Sequence, residues 1–118
     1  MKKKERNYVL YLEDILLAMN RIAEYIEGHS LEGFKKDYKT VDAVIRNFEV
    51  IGEASKNIAI SLKEKYPDVP WQEMYSLRNK ISHEYFGIDY EIIWDLAYNY
   101  LPENKKQISE IIENLKDS

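Results

Sequence analysis

Apolar residues recur every three or four positions along most of the chain, which is the spacing that places them on one face of a helix. The first such stretch runs from about Asn7 to Glu27, and Gly28 stands where a helix would end. Its apolar positions are Tyr8, Leu12, Ile15, Leu16, Met19, Ile22, Ala23 and Ile26. No stretch stands out with the two-residue alternation of a half-buried strand, so the pattern predicts an all-α fold.

Polar residues of the kind that cap helices divide the next part of the chain. Ser30 is placed to cap a short helix that reaches about Lys36. Either Asp37 or Thr40 is placed to cap a long helix that reaches about Lys65. The apolar stripe of this long helix consists of Val41, Val44, Ile45, Phe48, Ile51, Ile58 and Leu62.

Two prolines mark the boundaries of the later helices. Pro70 ahead of Trp71 resembles a helix start with proline in the first turn, and this fourth helix fades near 85–87. Asp89 is placed to cap the last helical stretch, in which Pro102 must cause a kink or a restart because it has no N–H to donate. We therefore expect an up-and-down bundle of four to five helices.

The composition excludes several classes of protein. The chain has 118 residues, which predicts a single domain over 1–118, and its 45% hydrophobic and 32% charged residues are ordinary for a globular protein. It has no cysteine, which rules out disulfides and thiolate metal sites and indicates a cytoplasmic location. A net charge of −4 means that any contact with RNA is local or is built by pairing two chains. No signal peptide or membrane-spanning run is recognisable.

Metal and nucleotide-cofactor motifs are also missing. The two histidines, His29 and His83, lie far apart, and neither H-x-x-x-H nor H-E-x-x-H occurs. Nothing in the chain matches the glycine-rich phosphate loop G-x-x-x-x-G-K-[ST]. The sequence therefore predicts no metal site and no cofactor.

Candidate chemistry is concentrated in the segment 78–85, Arg-Asn-Lys-Ile-Ser-His-Glu-Tyr. Arg78 can hold phosphate oxygens in a fork, and His83 can move a proton near neutral pH. RNA carries its own nucleophile, the 2′-OH, so these two groups suffice in principle for metal-free transesterification. Asn79, Ser82 and Tyr85 can donate hydrogen bonds to the phosphate or orient the imidazole.

The spacing of this pair leaves its geometry open. Residues five apart on an ideal helix are rotated by roughly 140° from each other, so Arg78 and His83 do not share a face. Three arrangements would bring the two side chains together: the helix distorts, the arginine side chain wraps round the helix, or a two-fold axis of a dimer completes the site. The third explains most, because pairing two chains also concentrates positive charge at the site. Taken alone, the spacing favours a histidine that caps a helix or forms a hydrogen bond at the surface over a catalytic one. Tyr85 is one of ten tyrosines, which by itself favours a buried aromatic side chain with a bonded hydroxyl.

Segment 78–85 resembles the R-x4–6-H motif of HEPN domains, extended to H-x-Y as in the HepT branch. Upstream, residues 46–56 (RNFEVIGEASK) resemble the "IGEA" segment of that branch. Trp71, the turn at 87–89 and Trp94 also match, and the resemblance covers about residues 8–115. It implies a homodimeric helical bundle in which paired motifs face a shared cleft.

The resemblance further implies a metal-independent endoribonuclease toxin of a type VII-like toxin–antitoxin system, encoded beside a nucleotidyltransferase (MntA-like) antitoxin. Carried over by position, Arg78 is the phosphate-binding catalytic arginine and His83 the catalytic histidine. Tyr85 corresponds to the tyrosine that the antitoxin modifies with AMP, which would place anionic phosphate beside both groups and block RNA.

Two further points stay open at the level of sequence. Glu53 is a secondary site candidate that orients Arg78 or His83, or it is a structural ion-pair partner. Gly52 within a helix favours a close helix–helix approach over a catalytic reason. For the whole protein, the alternatives to a ribonuclease are a non-catalytic HEPN subunit that binds nucleotide or regulates a nucleotidyltransferase, and a plain structural dimer.

Overall fold

The structure, a computed structural model, describes residues 3–76 and 89–117, and all regular structure in these ranges is helical. The elements are α1 (Lys3–Ile26), α2 (Leu31–Lys36), α3 (Tyr38–Lys56), α4 (Ile60–Lys65), α5 (71–76), α6 (Tyr90–Asp95), a π-helical turn (Leu96–Tyr100) and α7 (Leu101–Lys116). The predicted all-α class is confirmed. None of the described helices is long and apolar enough to cross a membrane.

The core is organised around α1, which packs against both α3 and α7. The apolar stripe predicted for α1 faces this core, and Leu12, Ile15 and Ile22 are completely buried. Each such aliphatic side chain contributes about 1.5–3 kcal/mol by leaving water. The opposing residues from α3 and α7 are Val41, Val44, Ile45, Phe48, Ile51, Leu101, Ile108, Ile111 and Ile112.

The predicted helix boundaries between 26 and 40 are confirmed. Gly28 has φ of +80°, a left-handed conformation that glycine adopts without strain after a helix end. The Ser30 hydroxyl accepts a hydrogen bond from the Gly33 N–H at 3.1 Å and caps α2. Of the two candidates for α3, Asp37 is the cap, because its Oδ1 accepts from the Thr40 N–H at 3.2 Å.

The prediction of one long helix from about Asp37 to Lys65 is wrong at its second half. α3 ends at Lys56, and the short α4 follows after a break at 57–59. Polar side chains compete with the backbone at this end: the Ser55 hydroxyl donates to the Gly52 carbonyl at 2.8 Å. The Asn57 amide donates to the Glu53 carbonyl at 3.1 Å. The chain thus leaves the helix although its apolar pattern continues.

At Pro102 the structure shows a restart rather than a sharp kink. Pro102 lies in the first turn of α7, where a missing N–H costs least. Directly before it the helix widens into the π-turn (Leu96–Tyr100), in which the Leu101 N–H donates to the Leu96 carbonyl. The new helix α7 begins directly after the π-turn, with no loop between them.

The cap of α3 predicts a defined sensitivity to acid. The pKa of the Asp37 carboxyl is lowered from 3.8 to about 2, mainly because the Thr40 hydroxyl and then His29 hydrogen-bond to it. A lowered pKa in the folded state stabilises the fold above the ordinary pKa, and this contribution disappears as the pH falls through about 2. We expect the free energy of unfolding, measured in urea, to fall less between pH 5 and pH 2 in Asp37→Asn than in the wild type. The asparagine keeps a capping oxygen but has no carboxyl group to protonate.

The matched control is Asp68→Asn, a change at an exposed aspartate in the connection between α4 and α5. It should follow the wild-type dependence on pH. An Asp37→Asn protein that loses stability in parallel with the wild type over this window would contradict the assignment.

Candidate active site

Five of the six predicted site residues lie outside the described part of the chain: Arg78, Asn79, Ser82, His83 and Tyr85. The predicted remainder of the fourth helix lies there as well. The sixth candidate, Glu53, is described. What the structure defines is therefore the two points between which the segment 77–88 runs, and the surroundings of Glu53.

The chain enters this segment from α5, which is held firmly in the core. Trp71 and Met74 are both buried. The Trp71 indole N–H donates to the Tyr66 carbonyl at 3.0 Å, and the Met74 N–H donates to the Pro70 carbonyl at 3.0 Å. Burial of a tryptophan with its N–H satisfied is a strong anchor, so α5 is held in the core up to residue 76.

The chain leaves the segment at Asp89, which is anchored in turn. The Asp89 carboxylate accepts from the Glu91 N–H at 2.8 Å and caps α6, confirming the predicted cap. Ile93 is buried in the core, and Lys35 of α2 pairs with Glu91 at 3.0 Å. The motif-bearing segment thus lies in sequence between two helices that are each anchored by contacts among the described residues.

Glu53 lies in a groove of about 410 Å³ between α1 and α3. The lining residues are Tyr11, Asp14, Arg46, Glu49, Val50, Glu53, Ala54 and Asn57. Arg46 pairs with Glu49 at 3.8 Å, one turn away on α3. Three carboxylates against one guanidinium do not attract phosphate, but they are suited to orienting a cation such as an arginine or a protonated histidine.

Sequence reasoning missed the α1 side of this groove. Tyr11 and Asp14 are three residues apart and border the apolar stripe of α1, and Arg46, Glu49 and Glu53 follow one another at spacings of three and four along α3. Each set alone is the ordinary polar edge of an amphipathic helix. Only the packing of α1 on α3 shows that the two edges form one groove.

Gly52 is buried in α3, next to the groove. Its carbonyl accepts the Ser55 hydroxyl, so the residue takes part in the polar ending of the helix. Burial agrees with the packing interpretation of Gly52. Within 3–76 and 89–117, no three side chains of histidine, cysteine, aspartate or glutamate are grouped to hold a metal ion.

The helical fold and the "IGEA" segment on α3 belong to a class of protein with known relatives. Residues 15–111 match the family described as "Ribonuclease HepT-like", and the chain belongs to this family. The confirmed resemblance to the HepT branch covers most of the chain. No solved structure matches the chain significantly.

Several curated relatives are similar over nearly their whole length. "Putative RNase MJ0127" of Methanocaldococcus jannaschii is 47% identical over 116 residues, covering 98% of this chain and 94% of the relative. "Putative RNase TTE0752" of Caldanaerobacter subterraneus subsp. tengcongensis is 42% identical, covering 90% and 95%. "Probable ribonuclease HepT" of Thermococcus cleftensis is 40% identical, covering 91% and 97%.

Proposed function

We propose that this protein is a metal-independent endoribonuclease that acts as the toxin of a type VII-like toxin–antitoxin system. The observation that carries the proposal is the family match over 15–111, which spans the whole Arg78–Tyr85 motif. The names of relatives that align over nearly the entire chain, each an RNase or ribonuclease, support the same reaction class.

In the proposed reaction His83 accepts the proton of the 2′-OH, and the 2′-oxygen attacks the adjacent phosphorus. The bond from phosphorus to the 5′-oxygen breaks, and the leaving oxygen takes up a proton. The products are a 2′,3′-cyclic phosphate and a 5′-hydroxyl end. Arg78 neutralises the charge that develops on the phosphate, a role for which its planar fork of donors is suited. Asn79 and Ser82 donate further hydrogen bonds.

Glu53 is a positioning residue in this proposal. Its groove carries mostly negative charge, and a carboxylate there stabilises a guanidinium or an imidazolium that approaches it. The site is completed across the two-fold axis of a homodimer, which brings two copies of the motif to one RNA-binding cleft and supplies the positive charge that a chain of net charge −4 lacks.

Regulation in this proposal acts on Tyr85. Transfer of AMP to its hydroxyl by a nucleotidyltransferase antitoxin adds phosphate charge two residues from His83. That charge competes with RNA for Arg78, and the nucleotide occupies the cleft.

The decisive experiment is cleavage of RNA in EDTA by purified protein whose Tyr85 is shown by mass spectrometry to be free of AMP. We expect fragments with 2′,3′-cyclic phosphate ends. A matched substrate with a 2′-deoxyribose at one cleaved position should remain intact there, because it lacks the nucleophile.

Cleavage that needs an added divalent ion, or that continues at the 2′-deoxy position, would exclude the proposed chemistry. Absence of cleavage across messenger, transfer and ribosomal RNA by folded, unmodified protein would leave the non-catalytic nucleotidyltransferase partner as the better description.

A further inference from the structure

An aromatic ladder leads from the core to the surface beside α6. Phe34 of α2 is completely buried, and its ring centroid lies 5.3 Å from that of Trp94 at an interplanar angle of 45°. Trp94 in turn stacks on Tyr98, with centroids 5.3 Å apart and rings only 11° from parallel. Tyr98 is 59% exposed, so the outermost ring of a rigid stack is presented to the surroundings.

Tyr98 and Asn99 lie in the π-turn, each four residues after its partner. Tyr98 stacks on Trp94, and the Asp95 Oδ1 accepts from the Asn99 amide at 2.6 Å. A carboxylate has about four acceptor positions, and Asn99 uses one of them. An exposed aromatic ring and an oriented carboxylate thus lie one helical turn apart, and π-turns are frequent at functional sites.

The charge on this surface decides what it binds. The stretch 89–100 contains Asp89, Glu91 and Asp95, all exposed, and no lysine or arginine. The neighbouring Lys35 is already paired with Glu91 at 3.0 Å, and this pairing raises its pKa. Such a surface repels the phosphates of RNA and attracts cations.

From these observations we propose that Tyr98 and Asp95 form a docking site for an arginine side chain of a protein partner. A guanidinium can lie flat on the outer face of the Tyr98 ring while its N–H groups donate to the Asp95 carboxylate. Because the Trp94 and Phe34 rings hold Tyr98 from behind, little side-chain freedom is lost on binding. This contact does not require the proposed reaction to take place.

Tyrosine, tryptophan and arginine are also the residues that carry most energy in protein interfaces. Exposed Ile92 lies one turn before Asp95 on the same side of α6 and extends the surface with an apolar contact. The site therefore fits a partner that presents an arginine beside apolar residues.

The test is an NMR titration of the full ¹⁵N-labelled chain with a short arginine-glycine peptide, a matched lysine-glycine peptide and a single-stranded oligoadenylate. The indole N–H signals of the two tryptophans serve as probe and internal control. Trp94 stacks on Tyr98 and is the probe, whereas Trp71 is buried, donates to the Tyr66 carbonyl and is the control. We expect the arginine peptide to shift the Trp94 signal and leave that of Trp71 in place. The lysine peptide should bind more weakly, because it lacks the planar fork.

Substitutions identify the two contacts. Tyr98→Ala should weaken binding of the arginine peptide at least about threefold. Tyr98→Phe should bind it as the wild type does, because the phenylalanine ring can still stack on the guanidinium. Asp95→Asn should weaken it as well. Tyr38→Ala, at a tyrosine that is 70% exposed on another helix, is the matched control and should bind as the wild type does.

Three results of the titration, and a fourth result outside it, would overturn the proposal. The Trp94 signal stays in place with the arginine peptide, it shifts equally with both peptides, or it shifts with the oligoadenylate. A Tyr98-dependent self-association of the chain would likewise assign this surface to a second copy. None of these readouts uses RNA cleavage, so failure here is distinct from failure of the proposed reaction.

Discussion

His83→Ala is expected to slow RNA cleavage by about 10²–10⁴-fold, the range that loss of a general base produces. In the proposed reaction no other group takes the proton from the 2′-OH, so the loss should fall on kcat rather than on RNA binding. Added imidazole should restore part of the activity, because a small base can occupy the space of the missing ring. Initial rates of cleavage in EDTA, with and without imidazole, measure both effects.

His29→Ala is the matched control, since it removes the other histidine of the chain. His29, in the connection between α1 and α2, bonds at 3.1 Å to Asp37, the cap of α3, so its loss should affect stability and leave cleavage unchanged. Arg78→Ala should lower the rate of cleavage by about 10²–10³-fold, as loss of a charge-stabilising donor does. The rate of Arg78→Lys should lie between those of Arg78→Ala and the wild type, because lysine keeps the charge but not the planar fork. A His83→Ala protein that cleaves within a few-fold of the wild type would exclude His83 as the base.

Phe34→Ala should lower the free energy of unfolding by about 3–5 kcal/mol, the usual cost of emptying a buried phenylalanine site. The ring is completely buried, and α2 has only six residues, too few to be helical without tertiary contacts. Its loss also removes the ring behind Trp94. Urea unfolding followed by fluorescence of the two tryptophans would measure the change.

Tyr38→Ala again provides the comparison, because this ring is mostly exposed and its removal should change stability by no more than about 0.5 kcal/mol. A Phe34→Ala loss below about 1 kcal/mol would mean that the space left by the ring closes up, and that α2 does not depend on it.

Local signals along the chain were sufficient to predict several helix boundaries. Gly28, Ser30 and Asp89 each act through their own backbone or a neighbour two or three residues away, so their roles can be recognised without the fold. The choice of Asp37 over Thr40 could not be made that way, because both residues are capping types. It depends on Asp37 also receiving hydrogen bonds from Thr40 and His29.

The break after α3 escaped prediction for a different reason. Ile58 and Leu62 are buried as the periodic pattern requires, although they follow the end of the helix at Lys56. Periodicity records burial and not backbone continuity, so it cannot distinguish one helix from two that share a core. The groove at Glu53 was hidden similarly, since it is formed by two helices that are distant in sequence.

The π-turn also keeps the buried faces of α6 and α7 on the same side of the helix. Ile93, Ala97 and Leu101 are all buried at intervals of four, and on a regular helix the first and last of these would be about 80° out of line. The wider turn absorbs this offset. Deleting one residue from 96–100 would place Ile93 and Leu101 seven residues apart on a regular helix, about 20° from alignment, so α7 should keep its apolar side toward α1. The extra residue of this turn is therefore accommodated without disturbing the packing of α7 on α1, and its effect falls on the outward-facing residues that the turn carries.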